Sequence, residues 1–502
     1  MDHFFEFHKN NAIYINHMCV SIGVFIVSCF FLSKKSQLYF SAFLLLANIL
    51  AAIIPMLSNA ITGEGITDAT IYHVLYGREK FSILFEYDSI NYILIFFLVF
   101  VIALPVICKL VTTERTRKIS TTAQLTIIAS LHGAFLINSP AVFEITQIYQ
   151  SNTSDYKNYI DLDKILSENK PEYSQKHKKN LIVIYAESLE QSFFEENMFP
   201  GLTTNLTKLS KSGTVFNRIH QSPLSDWTIA GMVASQCGVP LYSFSPTSKF
   251  FKSTTNSNSF TCLADYLIKN DYAISYMGGA DIEYSGKGDF YKSQGFEDIS
   301  GLNELIKPNI PLSKWGLYDE YLLPMIEDKI EAYKKTNKPF AIFALTLDTH
   351  APEGFPSPLC DNKKYIYNDG SNAHLNTIKC SDVMLANFLE KIISRNIDDT
   401  NIVLLSDHLM MNSLAANEIL AKNINRFNRM TIWSKDIAPG LINRPGQVFD
   451  IASTIWHVQS DREIPIGFGR SLLGQSKTLT ETYGNNAVAN YIKSRQMKSW
   501  KN

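Results

Sequence analysis

The chain has 502 residues, 46% of them hydrophobic, with 46 Lys+Arg against 47 Asp+Glu. That length allows two or three domains and excludes a minimal scaffold. A net charge of −1 lacks the basic excess of nucleic-acid proteins, so no nucleic-acid partner is expected. The charge is also unevenly spread: it is concentrated after residue 150, whereas the first 143 residues contain long uncharged apolar runs.

Four stretches are predicted to span a bilayer, at 12–32, 38–58, 90–108 and 122–143, because about 20 mostly apolar residues cross the hydrocarbon core. The first three contain no Asp, Glu, Lys or Arg; the fourth is diluted by Thr, Ser, Asn and His132 and is expected to pack against its neighbours. Basic loops stay cytoplasmic. Lys34 and Lys35 follow the first span, and Lys109, Arg115, Arg117 and Lys118 follow the third, with only Glu114 opposing them. Both termini are therefore expected on the non-cytoplasmic side, with the large carboxyl-terminal part extracytoplasmic.

Cys19, Cys29 and Cys108 fall in the apolar segments and read as small packing residues. Cys237, Cys262, Cys360 and Cys380 fall beyond them; three pairings are open, and nearest-neighbour pairing is the one expected.

Residues 151–179 are polar and read as a linker ahead of a folded domain, with 476–502 as a tail. Apolar runs at 180–188, 272–277, 339–347 and 401–405 have the composition of strands buried on both faces. Helical patterns at 202–212, 261–270, 318–336 and 381–395 separate them. The alternation predicts an α/β fold with a central, mostly parallel sheet, in which ligands bind beyond the carboxyl ends of the strands. Three runs end in chemistry: Glu187-Ser188 after the first, Asp348-Thr349-His350 after the third, and Asp407-His408 after the last. Carboxylates and imidazoles gathered at one sheet edge make a plausible cation site.

These residues, together with Thr228 between them, resemble the alkaline-phosphatase/sulfatase superfamily. Within it the chain is similar to membrane phosphoglycerol transferases of the type I, periplasmic-glucan-modifying kind, and more distantly to lipoteichoic acid synthases. The resemblance covers about 180–475. It rests on Trp227-Thr-Ile-Ala-Gly-Met-Val-Ala-Ser-Gln-Cys-Gly-Val-Pro240, Gly286-Lys-Gly-Asp-Phe-Tyr-Lys-Ser-Gln-Gly-Phe296, Trp315-Gly-Leu-Tyr-Asp319, Thr346-Leu-Asp-Thr-His350 and Ser406-Asp-His-Leu-Met-Met-Asn412. Ser225-Asp-Trp-Thr-Ile-Ala-Gly231 lacks the Pro and Arg of the sulfatase formylglycine motif, which leaves a hydroxyl as nucleophile.

The resemblance implies an alkaline-phosphatase/sulfatase-like domain behind about four helical spans, in the bacterial inner membrane with its catalytic part periplasmic. It implies Thr228 as nucleophile, although the helical look of 229–235 also suits Thr228 as a helix N-cap. A divalent cation, Mn²⁺ first and Mg²⁺ or Zn²⁺ as alternatives, would be held by Glu187, Asp407, His408 and the Thr228 oxygen. His350 is expected to bind the head group or hand a proton to the departing oxygen, with Lys287 and Trp227 also in the substrate-binding set. Lys287 lies near where the synthases carry an Arg, and a point charge replaces a fork there. The implied donor is phosphatidylglycerol and the implied acceptor a glycan: a periplasmic glucan, capsule or O-antigen. Glucan-modifying relatives are often longer at the carboxyl end, which keeps the other glycans open. A phosphoethanolamine transferase and a catalytically silent membrane glycan-binding protein are the alternatives. His220, His374 and His457 read as surface or packing residues.

Overall fold

The computed structural model describes residues 11–29, 35–62, 65–67, 69–71, 120–150, 171–175, 177–241, 261–351, 353–360, 365–411, 414–422 and 425–501, with isolated positions at 93, 95, 97, 98, 165 and 169. The chain divides into two compact units near residue 153.

The first unit contains helices α1 (Ala12–Cys29), α2 (Lys35–Thr62), α3 (Thr121–Ile137) and α4 (Pro140–Gln150). Leu45, Ile49, Met56, Met18, Phe25 and Ile128 form its apolar core. Side-chain bonds between helices run through it. Gln37 donates to Gln124 at 2.7 Å, and His132 Nε2 lies 3.2 Å from Ser41 Oγ and 3.4 Å from Ser28 Oγ. Polar pairs of this kind hold apolar helices together where the hydrophobic effect alone does not discriminate.

Ser36–Asn59 is long and apolar enough to cross a membrane, and Ala12–Ser28 is a shorter apolar helix. The stretch expected as a fourth straight span is instead broken: Thr121–Ile137 and Pro140–Thr146 meet at 51°. Pro140 has no N–H to continue the earlier helix, so it starts a new one, and the Ser139 hydroxyl accepts the Val142 N–H at 3.3 Å. Among the described residues one helix, or two if the bent pair counts as one, is thus long and apolar enough to cross a membrane, rather than four; these apolar amino-terminal helices suggest membrane anchoring. The expected span at 90–108 and the basic loop after it lie outside the described residues, apart from four isolated helical positions.

The second unit is built on one mixed, mostly parallel sheet. Its strands are β1 (Asn180–Ala186), β2 (Thr214–His220), β3 (Ala273–Gly278), β4 (Asp298–Ser300), β5 (Phe340–Leu345), β6 (Thr400–Ser406), β7 (Asn428–Trp433), β8 (Gly440–Ile442) and β9 (Gly446–Gln447). The spatial order is β4-β3-β5-β1-β6-β7-β2-β8, with β9 paired to β2. The four strands expected from apolar runs are β1, β3, β5 and β6, and they lie together in parallel at the centre. β7 runs antiparallel to both β6 and β2.

Helices cover both faces, which is why the central strands are apolar throughout. On one face Ile182 and Ile184 pack with Ile326 and Ile330 and with Leu385 and Leu389. On the other, the Tyr185 hydroxyl meets Ser235 Oγ at 2.9 Å. Ser235 belongs to helix α5 (Thr228–Cys237); Ile326 and Ile330 belong to α6 (Asp319–Lys334), and Leu385 and Leu389 to α7 (Ala373–Asn396). α7 begins two turns earlier than expected because the Asn372 side chain caps it, accepting the Leu375 N–H at 3.0 Å. The disulfides are Cys237–Cys262 and Cys360–Cys380, the nearest-neighbour pairing. The region expected as a tail contains helices Leu479–Tyr483 and Asn485–Lys501, with Val488 and Ile492 buried.

Candidate active site

β1 and β6 pair in register with Ala186 opposite Ser406, so the next residues, Glu187 and Asp407, leave the sheet side by side. One ligand atom from each of Glu187, Asp407 and His408 lies within 4.8 Å of the others, and all three residues are buried. His408 Nε2 is 3.4 Å from Glu187 Oε1 and 3.3 Å from Asp407 Oδ2. His408 Nδ1 faces the Leu409 carbonyl at 2.7 Å; a carbonyl only accepts, so the proton sits on Nδ1 and Nε2 turns toward the carboxylates. Asp407 Oδ2 and His408 Nε2 are buried with no hydrogen-bond partner. Two carboxylates and an imidazole with orphaned atoms turned inward suit a divalent cation.

The electrostatics agree with such a site. Burial pushes the Asp407 carboxyl up, and the Glu187 charge pushes it further, to about 8. Burial would lower His408, but Asp407 and Glu187 raise it to about 10. Burial would also raise Glu187, yet His408 and His350 together hold it below the ordinary carboxylate range. The two buried carboxylates thus compete for one imidazole, a crowding that a divalent cation would relieve.

Ser188, noted at the end of the first apolar run with no role of its own, ties two of these groups together. Ser188 is buried in the left-handed region at φ 56°, unusual for a side chain with a Cβ. Its N–H donates to Asp407 Oδ1 at 2.8 Å and its hydroxyl to Glu187 Oε1 at 2.9 Å. Outer partners of this kind orient metal ligands. Ser188→Ala is expected to weaken Mn²⁺ binding about 10- to 100-fold, read by calorimetry on the full chain; affinity within twofold of wild type would remove Ser188 from this role.

Thr228 is the first residue of α5 rather than its N-cap, which is Trp227 with an extended backbone and no capping side-chain bond. Trp227 is buried. One turn along, a Cβ on Gly231 would fall 2.0 Å from the Asp407 carbonyl oxygen. Only glycine lets this helix press its first turn against the Asp407-His408 segment, an approach that no motif had flagged. A helix start also favours an anion by its dipole and N–H groups.

His350 follows β5, and its Nδ1 donates to the Ala351 carbonyl at 2.7 Å, leaving Nε2 for exchange. Burial lowers its pKa, Glu187 opposes that, and His408 and Lys287 add to the lowering; all three groups lie within electrostatic reach. The Trp315 ring lies 4.5 Å from His350, and Tyr284 meets Trp315 edge-on at 5.1 Å. Lys287 is buried, with Nζ donating to the Tyr284 carbonyl at 3.0 Å and 5.0 Å from the Tyr284 ring. His374, read as a packing residue, is buried with Nε2 on the Thr349 carbonyl at 2.8 Å, bracing the turn that carries His350.

The same turn is locked by two buried carboxylates. Asp319 accepts the N–H groups of Leu347 at 2.8 Å and Asp348 at 3.1 Å, while Asp348 accepts the Asp319 N–H at 3.0 Å and the Ser357 hydroxyl. Burial and the neighbouring Asp348 charge hold Asp319 well above its ordinary range; burial raises Asp348 to about 7. Between about pH 4 and 7 the folded chain keeps a proton on Asp348 that the unfolded chain has released, so stability falls as pH rises through that window. Asp348→Asn mimics the protonated form. It should match wild type near pH 4 and exceed it by on the order of 2 kcal/mol at pH 8, measured by denaturation at both values.

A family profile described as Sulfatase matches residues 179–458, and one described as Phosphoglycerol transferase I, N-terminal domain, matches 16–155. The chain is 31% identical to phosphoglycerol transferase I of Xanthomonas campestris pv. campestris over 446 residues, covering 85% of this chain and 61% of the relative. It is 38% identical to phosphoglycerol transferase I of Salmonella typhi over 288 residues, covering 55% of this chain and 36% of that one. The chain therefore spans about three fifths or less of the length of these curated relatives. Its fold is similar to that of the lipoteichoic acid synthase LtaP from Listeria monocytogenes, with TM-score 0.53 and 16% identity, covering 68% of this chain and 98% of that one. Since the Sulfatase profile spans more than half of the chain, the protein belongs to that family, within the alkaline-phosphatase superfamily, as a homologue of phosphoglycerol transferase I.

Proposed function

We propose that this protein transfers phosphoglycerol from phosphatidylglycerol to hydroxyls of a periplasmic or surface glycan through a phosphoglyceryl-threonine at Thr228. The observation that carries the reading is the convergence of Glu187, Asp407 and His408 at two adjacent strand ends, with the first turn of the Thr228 helix pressed on Asp407. The relatives named phosphoglycerol transferase I support the choice of head group.

Glu187, Asp407 and His408, joined by the Thr228 oxygen, would hold the cation, Mn²⁺ by preference; the ion would supply Lewis-acid activation of a hydroxyl that is too weak a nucleophile unaided. Thr228 Oγ forms a bond to phosphorus as the bond to the diacylglycerol oxygen breaks, and the proton lost by Thr228 is balanced by one gained on diacylglycerol. In the second step an acceptor hydroxyl displaces Thr228 and the proton balance reverses. His350, with Nε2 available, serves the departing and then the incoming oxygen, and burial makes its protonated form a ready acid. Lys287 offers a positive charge to the phosphoryl group. The apolar amino-terminal helices keep the site near a lipid donor, which raises its effective concentration.

The test is to incubate membranes carrying the full chain with Mn²⁺ and head-group-labelled phosphatidylglycerol, then look for label on the protein. Label on the chain supports the reading. Label only from phosphatidylethanolamine moves the function to a phosphoethanolamine transferase, and label from neither donor sinks covalent transfer.

A further inference from the structure

From the packing around His350 we infer that Trp315 is the platform on which a pyranose ring of the acceptor glycan rests while its hydroxyl attacks. This rests on the double-displacement reading above and adds to it the surface that holds the second substrate.

In an in-line displacement the departing oxygen of the first step and the entering oxygen of the second occupy the same position, opposite Thr228. By microscopic reversibility, the group that protonates one deprotonates the other. His350 therefore marks the side on which the acceptor hydroxyl arrives. Trp315 borders that position: its ring lies 4.5 Å from the imidazole at a 36° tilt, and it is partly exposed. A flat indole with one polar N–H suits a sugar ring, which presents C–H groups on its face and hydroxyls at its rim.

The loop that carries the indole is also held in place before any ligand comes. Ser313 Oγ accepts the backbone N–H groups of Trp315 at 3.2 Å and Gly316 at 3.1 Å, and Ser313 N–H donates to the Gly316 carbonyl at 2.8 Å. Gly316 sits at φ 144° with its Cα against β3's end; a Cβ there would fall 2.2 Å from the Gly279 carbonyl oxygen. Leu317 N–H donates to that same carbonyl at 2.9 Å. The loop then enters α6 through the reciprocal Asp319–Asp348 bonds, which fix it to the His350 turn. The indole is thus packed on His350 and Tyr284 with part of it exposed, so a ligand meets it already positioned.

The test uses the full chain in detergent with Mn²⁺ and a soluble glucan oligosaccharide as probe. Calorimetry should give affinity for the oligosaccharide on wild type, about tenfold weaker on Trp315→Ala and mostly restored on Trp315→Phe. In transfer assays the KM for the oligosaccharide should rise by a similar factor in Trp315→Ala. Affinity of Trp315→Ala within twofold of wild type overturns the platform. So does a loss confined to kcat with a shifted pH profile, because the indole would then act only on His350. Binding needs no turnover, so the platform is judged separately from the donor: absence of label from phosphatidylglycerol on wild type would refute the donor reading instead.

Discussion

Thr228→Ala should lose all label from phosphatidylglycerol and drop transfer by about 10³-fold or more, with its melting temperature within about 2 °C of wild type. The size follows from chemistry: without the hydroxyl no covalent intermediate forms, and the remaining groups have nothing to align. The stability expectation follows from position. Thr228 is the first residue of α5, a place where Ala is well tolerated, and the helix cap belongs to Trp227, whose side chain makes no capping bond. Label trapped on Thr228→Ala, or transfer above one tenth of wild type, would remove Thr228 from its role. Unfolding of the variant would show in the same melts.

Gly231→Ala is expected to be nearly as damaging by a different route. Its Cβ would lie 2.0 Å from the Asp407 carbonyl oxygen and 3.5 Å from that of Ser225. The nearer obstacle is backbone of the segment that carries the ligands, so no rotamer change relieves it. Either α5 or the Asp407-His408 segment must move by an ångström or more. The cost is about 1–3 kcal/mol of stability and, because misplacement at that scale costs about 10²-fold in rate, a comparable loss of activity. Calorimetric Mn²⁺ binding should weaken in parallel. Gly440→Ala is the control: a Cβ there meets nothing within 4 Å, and binding and melting should stay close to wild type. If Gly231→Ala keeps Mn²⁺ affinity within threefold, the helix and the ligand segment do not depend on one another.

The centre of the fold is legible in the sequence because strands buried on both faces, such as Leu181–Tyr185 and Asn401–Leu405, cannot hide their apolar runs. A polar residue that ends such a run abruptly must leave the sheet there, which is how Glu187, His350 and Asp407 come to share one edge. β2 and β7 are not legible in this way. Thr214–His220 mixes buried and exposed positions across an irregular register, and Asn428–Trp433 begins with Asn and Arg, so neither has a clean period. Gly231 and Ser188 escape for another reason. Their importance lies in a close approach and a backbone angle, and a one-letter code records neither. The mutual embrace of Asp319 and Asp348 is likewise a long-range fact; each alone reads as an acidic residue near a helix or a turn. The break before Pro140 could have been read from the proline, but the apolar composition on both sides conceals it.

The two disulfides each join cysteines that are neighbours in order along the second unit, 25 and 20 residues apart. If this unit enters an oxidising compartment amino end first, Cys262 emerges with Cys237 as the nearest cysteine before it, and Cys380 with Cys360. Vectorial oxidation alone then arrives at the native connectivity, with no reshuffling by an isomerase. Each closure would trim roughly 3 kcal/mol of denatured-state freedom before the distant strands have met.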